Sequence, residues 1–582
     1  MVRHHRALVS MRIVPALAAA LLACSSGPGA PSHDAAPPAP PERYDVLVRG
    51  GTVFDGTGRA GAAADVAIRG DKIVTVGAVP PGSTAGLELD ARGLAVAPGF
   101  IDVLSQSDES LIQDGRAQSA VRQGVTLAIF GERSLAPFTP GMRKASARRQ
   151  GAIRYEIAWE TLGQYLTWLE RRGLSINVAA LVGAGTVREN VMPNLPGEAT
   201  PEQLERMKQL VAQAMDDGAL GLTAALIYAP GAYLSTDELV ELAEVSGERG
   251  GVFAAHVRNE GNGIEQAIDE MAEIARRARV PVEIYHLKLA GRRNWPRLDP
   301  LIAKIDALRA DGVAITADMY TYTAAQTGFD AAMPPWVQTG GYKKWAARLR
   351  DKKTRARVKK EMLDPGVPWD NLFAHAGPEG VLLAGFKNPA LRPLLGRRLA
   401  DVARERGVDP ADLVMDLVVE DGSRVGVVYF LMSEDNVRRQ VALPWMSFGS
   451  DAAAQSPEEP FASTRPHPRA YGTFARLLGK YVREDKALSL ADAIRRLTSF
   501  PARTYGLDGR GTLAPGSFAD VVVFDPAAIA DVATFEDPHR YATGVRHVLV
   551  NGDAVIRDGE HTGASPGRAL RRHRTGRTPT RN

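Results

Sequence analysis

Three polar residues close short apolar runs in this sequence: His256 after VFAA, His286 after VEIY and Asp451 after WMSFGS. Runs of that length, set among helical patterns, read as buried parallel strands. The carboxyl end of such a strand is where a (β/α)8 barrel keeps its reactive groups. Two imidazoles on successive strands suit a divalent metal, which lowers the pKa of bound water towards about 7 and polarises a carbonyl. A carboxylate across the rim suits the transfer of a proton from that water to a leaving nitrogen. The residue types therefore point to metal-assisted amide hydrolysis. Either histidine alone reads as a satisfied core residue; the pair together with Asp451 does not. Only four of the eleven histidines, His256, His286, His375 and His467, fall in the barrel region. His375, in NLFAHAG, receives no role.

The elements that must position these residues alternate between strand and helix. Strand candidates are 99–103, 125–130, 176–182, 219–224, 252–255, 282–285, 313–317 and 446–450, which matches the barrel count of eight. Helix starts are written in capping boxes, Thr200-Pro201-Glu202-Gln203 and Ser235-Thr236-Asp237-Glu238. Residues 44–98 and 508–565 carry short strands and tight turns, and read as one small antiparallel β-sandwich built from both chain ends. The expected fold class is α/β: a TIM-like barrel over 99–327 and 445–507, the sandwich, and an inserted lid over 328–444. The basic stretch KKWAARLRDKKTRARVKKEML in that insertion reads as a solvated helix face.

Composition adds limits. In 582 residues, 45% hydrophobic and 24% charged are ordinary globular values. The net charge of +4 comes from the ends: three arginines in 1–24 and six in 566–582 outweigh it, so the body is acidic and no nucleic-acid partner is expected. The Arg-rich 566–582 is expected to be a disordered tail. Residues 1–24 read as a secretory signal, basic and then apolar over Ile13 to Leu22. It ends in Leu21-Leu22-Ala23-Cys24, which resembles a bacterial lipobox. Cys24 would be lipidated and, with Ser25 following, held at the outer membrane facing the periplasm, with 25–43 as a Pro-rich tether. Cys24 is the sole cysteine, which leaves no intrachain disulfide and no thiolate for a metal.

AAHVRNEG, VEIYHLKLAGRRNW, ITADMYTYTA, FGSDA, HPRAYGTFARLLGKYVRE and RGTLAPGSFADVVVFDP resemble the N-acyl-D-amino-acid deacylases (D-aminoacylases) of the amidohydrolase superfamily. The likeness runs from about Tyr44 to Leu570. It implies that His256 and His286 hold one divalent metal, with zinc first among the choices, and that Asp451 is the general base. It implies that Lys288, Tyr320 and Arg469 contact the carboxylate of a small amide substrate, an N-acyl-D-amino acid. Arginine grips both oxygens of a carboxylate at once. Two departures stand out. After GFID the family has His-x-His, whereas this chain has Leu104-Ser105-Gln106, so the family's second, weaker metal is expected to be missing. The family's cysteine ligand after strand two is also absent; the chain reads Gly131-Glu132-Arg133. Glu132 either replaces it as a carboxylate ligand or pairs with Arg133 in a salt bridge. Rival readings are hydrolysis of cyclic amides and, in another class, a degenerate barrel that binds a carboxylate ligand without turning it over.

Overall fold

Eight strands of three to six residues follow one another in parallel register: β1 Phe100–Asp102, β2 Val125–Phe130, β3 Asn177–Ala180, β4 Gly221–Ala225, β5 Val252–His256, β6 Val282–Ile284, β7 Ile315–Met319 and β8 Met446–Phe448. The structure, a computed structural model, describes residues 40–192 and 195–572. The expected signal, Cys24 and most of the tether lie outside the described residues. β1, β2 and β3 pair in order. Val182–Gly183 extends β3 and pairs with β4, from which β5, β6, β7 and β8 follow. A parallel bridge between Ser105 and Ala452 joins the last strand to the first. The strands are buried along almost their whole length because both faces are covered. Ile101, Leu127, Ile129, Leu181, Ala254 and Tyr285 fill one cluster, while Phe130, Leu222, Phe253, Ile284 and Ile315 join the helix-packed one.

Both capping boxes form. Thr200 starts the helix Pro201–Asp216 and Ser235 starts Thr236–Glu248, each with the reciprocal side-chain bond at the third helical position. Capping of this kind sets where each helix begins, and hence the loop that leads into it.

Both chain ends build one nine-stranded sheet, joined where Ala95–Pro98 pairs antiparallel with Val521–Phe524. The sheet curls until Lys72 bridges Phe518, enclosing Val46, Val66, Ile68, Ile73, Val521 and Leu549. The sequence suggested an antiparallel sandwich; the structure instead has one sheet of mixed direction. Arg43–Val53 pairs in parallel with Thr84–Asp90 along its first half and with Ala95–Pro98 at its end. A strand of 11 residues is long enough to serve two short neighbours in tandem.

The insertion starts a few residues earlier than expected. Ala324–Gly328 already belongs to its three-stranded antiparallel sheet with Val381–Gly385 and Gly426–Phe430. It has its own core, including Phe329, Val337, Leu349, Val358, Met415 and Val427. The basic stretch is two helices, Tyr342–Arg350 and Lys352–Leu363, separated at Asp351, whose carboxylate caps the second through the Thr354 amide. The expectation of a disordered tail fails over 566–572. There the Val178 amide donates to the Arg568 carbonyl (2.9 Å) and the Leu570 amide to the Val178 carbonyl (2.7 Å). The backbone groups of β3 that no neighbouring strand uses need partners, and the chain end supplies them. Arg571 pairs with Glu170 at 3.1 Å and Arg568 with Asp71 at 2.7 Å.

Candidate metal and amide-binding site

His256 is the last residue of β5. His286 stands two residues after β6, Tyr320 directly after β7, Asp451 three residues after β8, and Glu132 two residues after β2. All five reach one cavity of about 360 Å³, which Lys288, Arg469, Gln106 and Glu260 also line. Two of the five have left-handed backbone, His286 at φ 37° and Asp451 at φ 47°. Non-glycine residues adopt this at a cost of the order of 1–3 kcal/mol, and only where the surroundings hold them. Here the His286 amide donates to Asp318 Oδ1 at 3.0 Å, and the Asp451 amide to the Leu104 carbonyl at 2.7 Å. The strand ends are thereby bent so that both side chains turn into the cavity.

Glu132, His256 and His286 each bring one ligand atom to within 4.8 Å of the others. Glu132 Oε1 stands 3.3 Å from His256 Nδ1, and His256 and His286 meet edge to face with ring centroids 4.5 Å apart. Burial works to raise the Glu132 carboxyl, but the hydrogen bond and charge of His256, with His286 and Gln106, hold it below the ordinary carboxylate range. It is therefore an anion facing two imidazoles. The ion pair with Arg133 does not form among the described residues, because Glu132 turns inward while Arg133 is exposed. Burial, followed by the Lys288 charge, lowers the pKa of His286 and favours its neutral form.

Leu104 and Gln106, at the positions where the resemblance leads one to expect metal-ligating histidines, take separate roles. Leu104 is buried in the barrel core. Gln106 Nε2 donates to Glu132 Oε2 at 2.6 Å and to Asp451 Oδ1 at 3.2 Å. An amide N–H₂ thus bridges two carboxylates that would otherwise repel each other.

The three residues expected to hold a carboxylate come together around Tyr320. The Arg469 guanidinium lies 4.4 Å from its ring centroid and the Lys288 ammonium 5.7 Å. The Tyr320 hydroxyl is buried without a hydrogen-bond partner. Both cations already face acids: Arg469 Nη1 is 2.8 Å from Asp451 Oδ2, and Lys288 is ion-paired with Glu260. Glu260 was missed in the sequence. It lies 2.9 Å from His286 Nδ1 and 3.7 Å from His256 Nε2, and these neighbours with Lys288 hold its carboxyl well below the ordinary range against burial. Its signal was present: it lies four residues past His256 in AAHVRNEG. His375 lies in the insertion against Asp370, and it does not line the cavity.

A polar cleft at the end of a (β/α)8 barrel, with two imidazoles, a carboxylate and a second carboxylate across the rim, defines an amidohydrolase-type hydrolytic site. Comparison with known proteins agrees. The model of the amidohydrolase family matches residues 391–556. D-aminoacylase of Alcaligenes xylosoxydans xylosoxydans is 34% identical over 534 residues, 91% of this chain and 98% of that protein. N-acyl-D-glutamate deacylase of the same organism is 31% identical over 531 residues, 91% of this chain and 97% of that protein. The crystal structure of N-acyl-D-glutamate deacylase from Bordetella bronchiseptica, complexed with zinc and a phosphonate mimic of the tetrahedral intermediate, superimposes with a TM-score of 0.76. It is 30% identical and covers 91% of this chain and 100% of that one. The chain belongs to the D-aminoacylase family of amidohydrolases.

Proposed function

We propose that this protein hydrolyses N-acyl-D-amino acids to a carboxylate and the free D-amino acid with one divalent metal, zinc being the first choice. The observation that carries the reading is the Glu132, His256 and His286 cluster, with Asp451 tied to it through Gln106. The residues fit a cation. His256 Nε2 is buried without a hydrogen-bond partner, and two imidazoles with one carboxylate are a common zinc donor set that leaves a position open. His286 Nδ1 is taken up by Glu260 Oε1 at 2.9 Å and Lys288 Nζ at 2.8 Å, which leaves Nε2 for the ion. A second cation has no place between Glu132 and Asp451, because the Gln106 amide already bridges them.

When bound, the metal acidifies water and polarises the scissile carbonyl. The remaining work belongs to side chains. The substrate carboxylate is received by Arg469, Lys288 and the free hydroxyl of Tyr320. When Arg469 turns to that carboxylate it releases Asp451 Oδ2, which can then accept the water's proton and deliver it to the leaving nitrogen. Every one of these carboxylate-binding residues lines the chamber on the insertion side of Glu132. None lines the second chamber of about 370 Å³, which shares Gln106, Glu132, Arg133 and Tyr228 and continues past Phe138, Arg149 and Glu189. The amino-acid half therefore belongs in the first chamber and the acyl group in the second.

The test is release of free amine from N-acetyl-D- and N-acetyl-L-methionine by zinc-reconstituted protein. Turnover of the D form supports the reading. Zinc-loaded protein that cleaves neither, or only the L form, sinks it. We further infer that Cys24 carries a lipid and anchors the enzyme at the outer membrane facing the periplasm; the Leu21-Leu22-Ala23-Cys24 sequence supports this. Release of a Cys24→Ser variant from the membrane fraction checks it, and wild-type protein found free of membranes would refute it.

A further inference from the structure

One buried acid–imidazole pair takes no part in the mechanism above. Asp370 and His375 belong to the insertion, and their side chains are 0% and 3% exposed. His375 Nε2 is 3.1 Å from Asp370 Oδ1. The other oxygen, Oδ2, accepts the backbone N–H of Glu260 at 2.9 Å. The imidazole occupies space that two glycines leave open: a Cβ on Gly261 would come 2.3 Å from its Nε2, and one on Gly291 2.7 Å from its Nδ1. Around this seat the Ala290 amide donates to the Glu260 carbonyl at 2.8 Å, and Asn262 Nδ2 to the Pro365 carbonyl at 2.8 Å. The loops after β5 and β6 are thus tied to each other and to the insertion at the point where Glu260 turns inward.

The Glu260 carboxylate is the common partner of His286, His256 and Lys288. A carboxylate behind a ligating imidazole fixes its orientation and tautomer, and losing such a partner typically costs about 10–100-fold in metal affinity or activity. We propose that Asp370 and His375 are positioning residues of the metal centre: they fix the Glu260 backbone so that its carboxylate aims the His286 imidazole and Lys288. The insertion is then a fixed part of the site as well as its cover. This rests on the metal site proposed above.

The experiment measures zinc affinity by chelator competition on full-length protein, alongside kcat and KM, for Asp370→Ala, Asp370→Asn and His375→Asn. Asp370→Ala is expected to weaken zinc binding roughly 10-fold and to lower kcat/KM, since Lys288 moves with Glu260. Asp370→Asn, which can still accept from the Glu260 amide, should restore most of both. Mere anchoring of the insertion predicts lower thermal stability with zinc affinity intact, and that outcome overturns the proposal. Gly261→Ala covers the case in which Asp370→Ala does not fold. It crowds the His375 ring while leaving Asp370 in place, and unchanged zinc affinity there also overturns the idea. Wild-type protein that binds no zinc defeats the metal reading itself, whereas wild-type binding with unaffected variants defeats only the positioning role.

Discussion

The barrel mouth and the two-ended β domain are built from similar short apolar strands, yet they treat polar groups in opposite ways. In the β domain the buried Arg510–Asp520 ion pair is fully engaged. Arg510 also donates to Asn551 Oδ1 at 2.9 Å, and Asp520 Oδ1 accepts the Asn551 amide at 2.9 Å. At the mouth, His256 Nε2, the Tyr320 hydroxyl and Arg469 Nε are buried with no hydrogen-bond partner. His286 and Asp451 also carry left-handed backbone there. Buried polar groups are ordinarily satisfied, and strain of this kind collects where it serves a function. In the β domain satisfied polarity holds the fold together, whereas at the mouth unpartnered groups and strained backbone coincide in one cavity.

Substitutions at the two regions should therefore separate chemistry from stability. Asp451→Asn keeps the size of the side chain but removes the proton acceptor, and kcat should fall roughly 10²–10⁴-fold with the thermal midpoint nearly unchanged. A parallel loss of folding would blur the contrast. In the β domain, Leu549 is fully buried. Leu549→Ala should cost about 2–5 kcal/mol in denaturant unfolding while leaving kcat/KM of the folded enzyme intact. Glu132→Gln should weaken zinc binding by at least about 10-fold, the lower end of what outer-shell partners cost. Full zinc affinity in that variant would remove Glu132 from the ligand set.

A last contrast, in the pH dependence of stability, concerns Asp102, whose carboxyl burial pushes up to about 7 despite two hydrogen bonds from Ser450. An acid raised in the folded state binds more protons there than in the unfolded chain, so stability declines as pH rises from about 4 to about 7. Asp102→Asn removes that decline. Its melting temperature relative to wild type should rise across that window and level off above it. A constant offset from pH 4 to 8 would show that the group does not titrate differently on folding.

Much of this site could be read in the chain itself. His256, His286 and Asp451 were legible because apolar runs announce parallel strands and strand ends in a barrel face one cavity. The capping boxes at Thr200 and Ser235 were legible because both partners lie within three residues. Glu260 was harder. Its offset from His256 is visible, but nothing local says that a loop will fold it back between two imidazoles. Glu132 had two readings in the sequence, and its direction is set by Gln106 and His256, which lie 26 and 124 positions away.

What the sequence alone determined was the set of chemical groups and the order of strands that present them, since hydrophobic period and capping act over a few residues. Only the tertiary structure decided which acid faces which base: Gln106 between Glu132 and Asp451, Arg469 on Asp451, Asp370 on the Glu260 backbone. Charges in a buried cleft interact over a few ångströms whatever their separation along the chain. Their pairing is therefore settled when the barrel closes and the insertion packs against it.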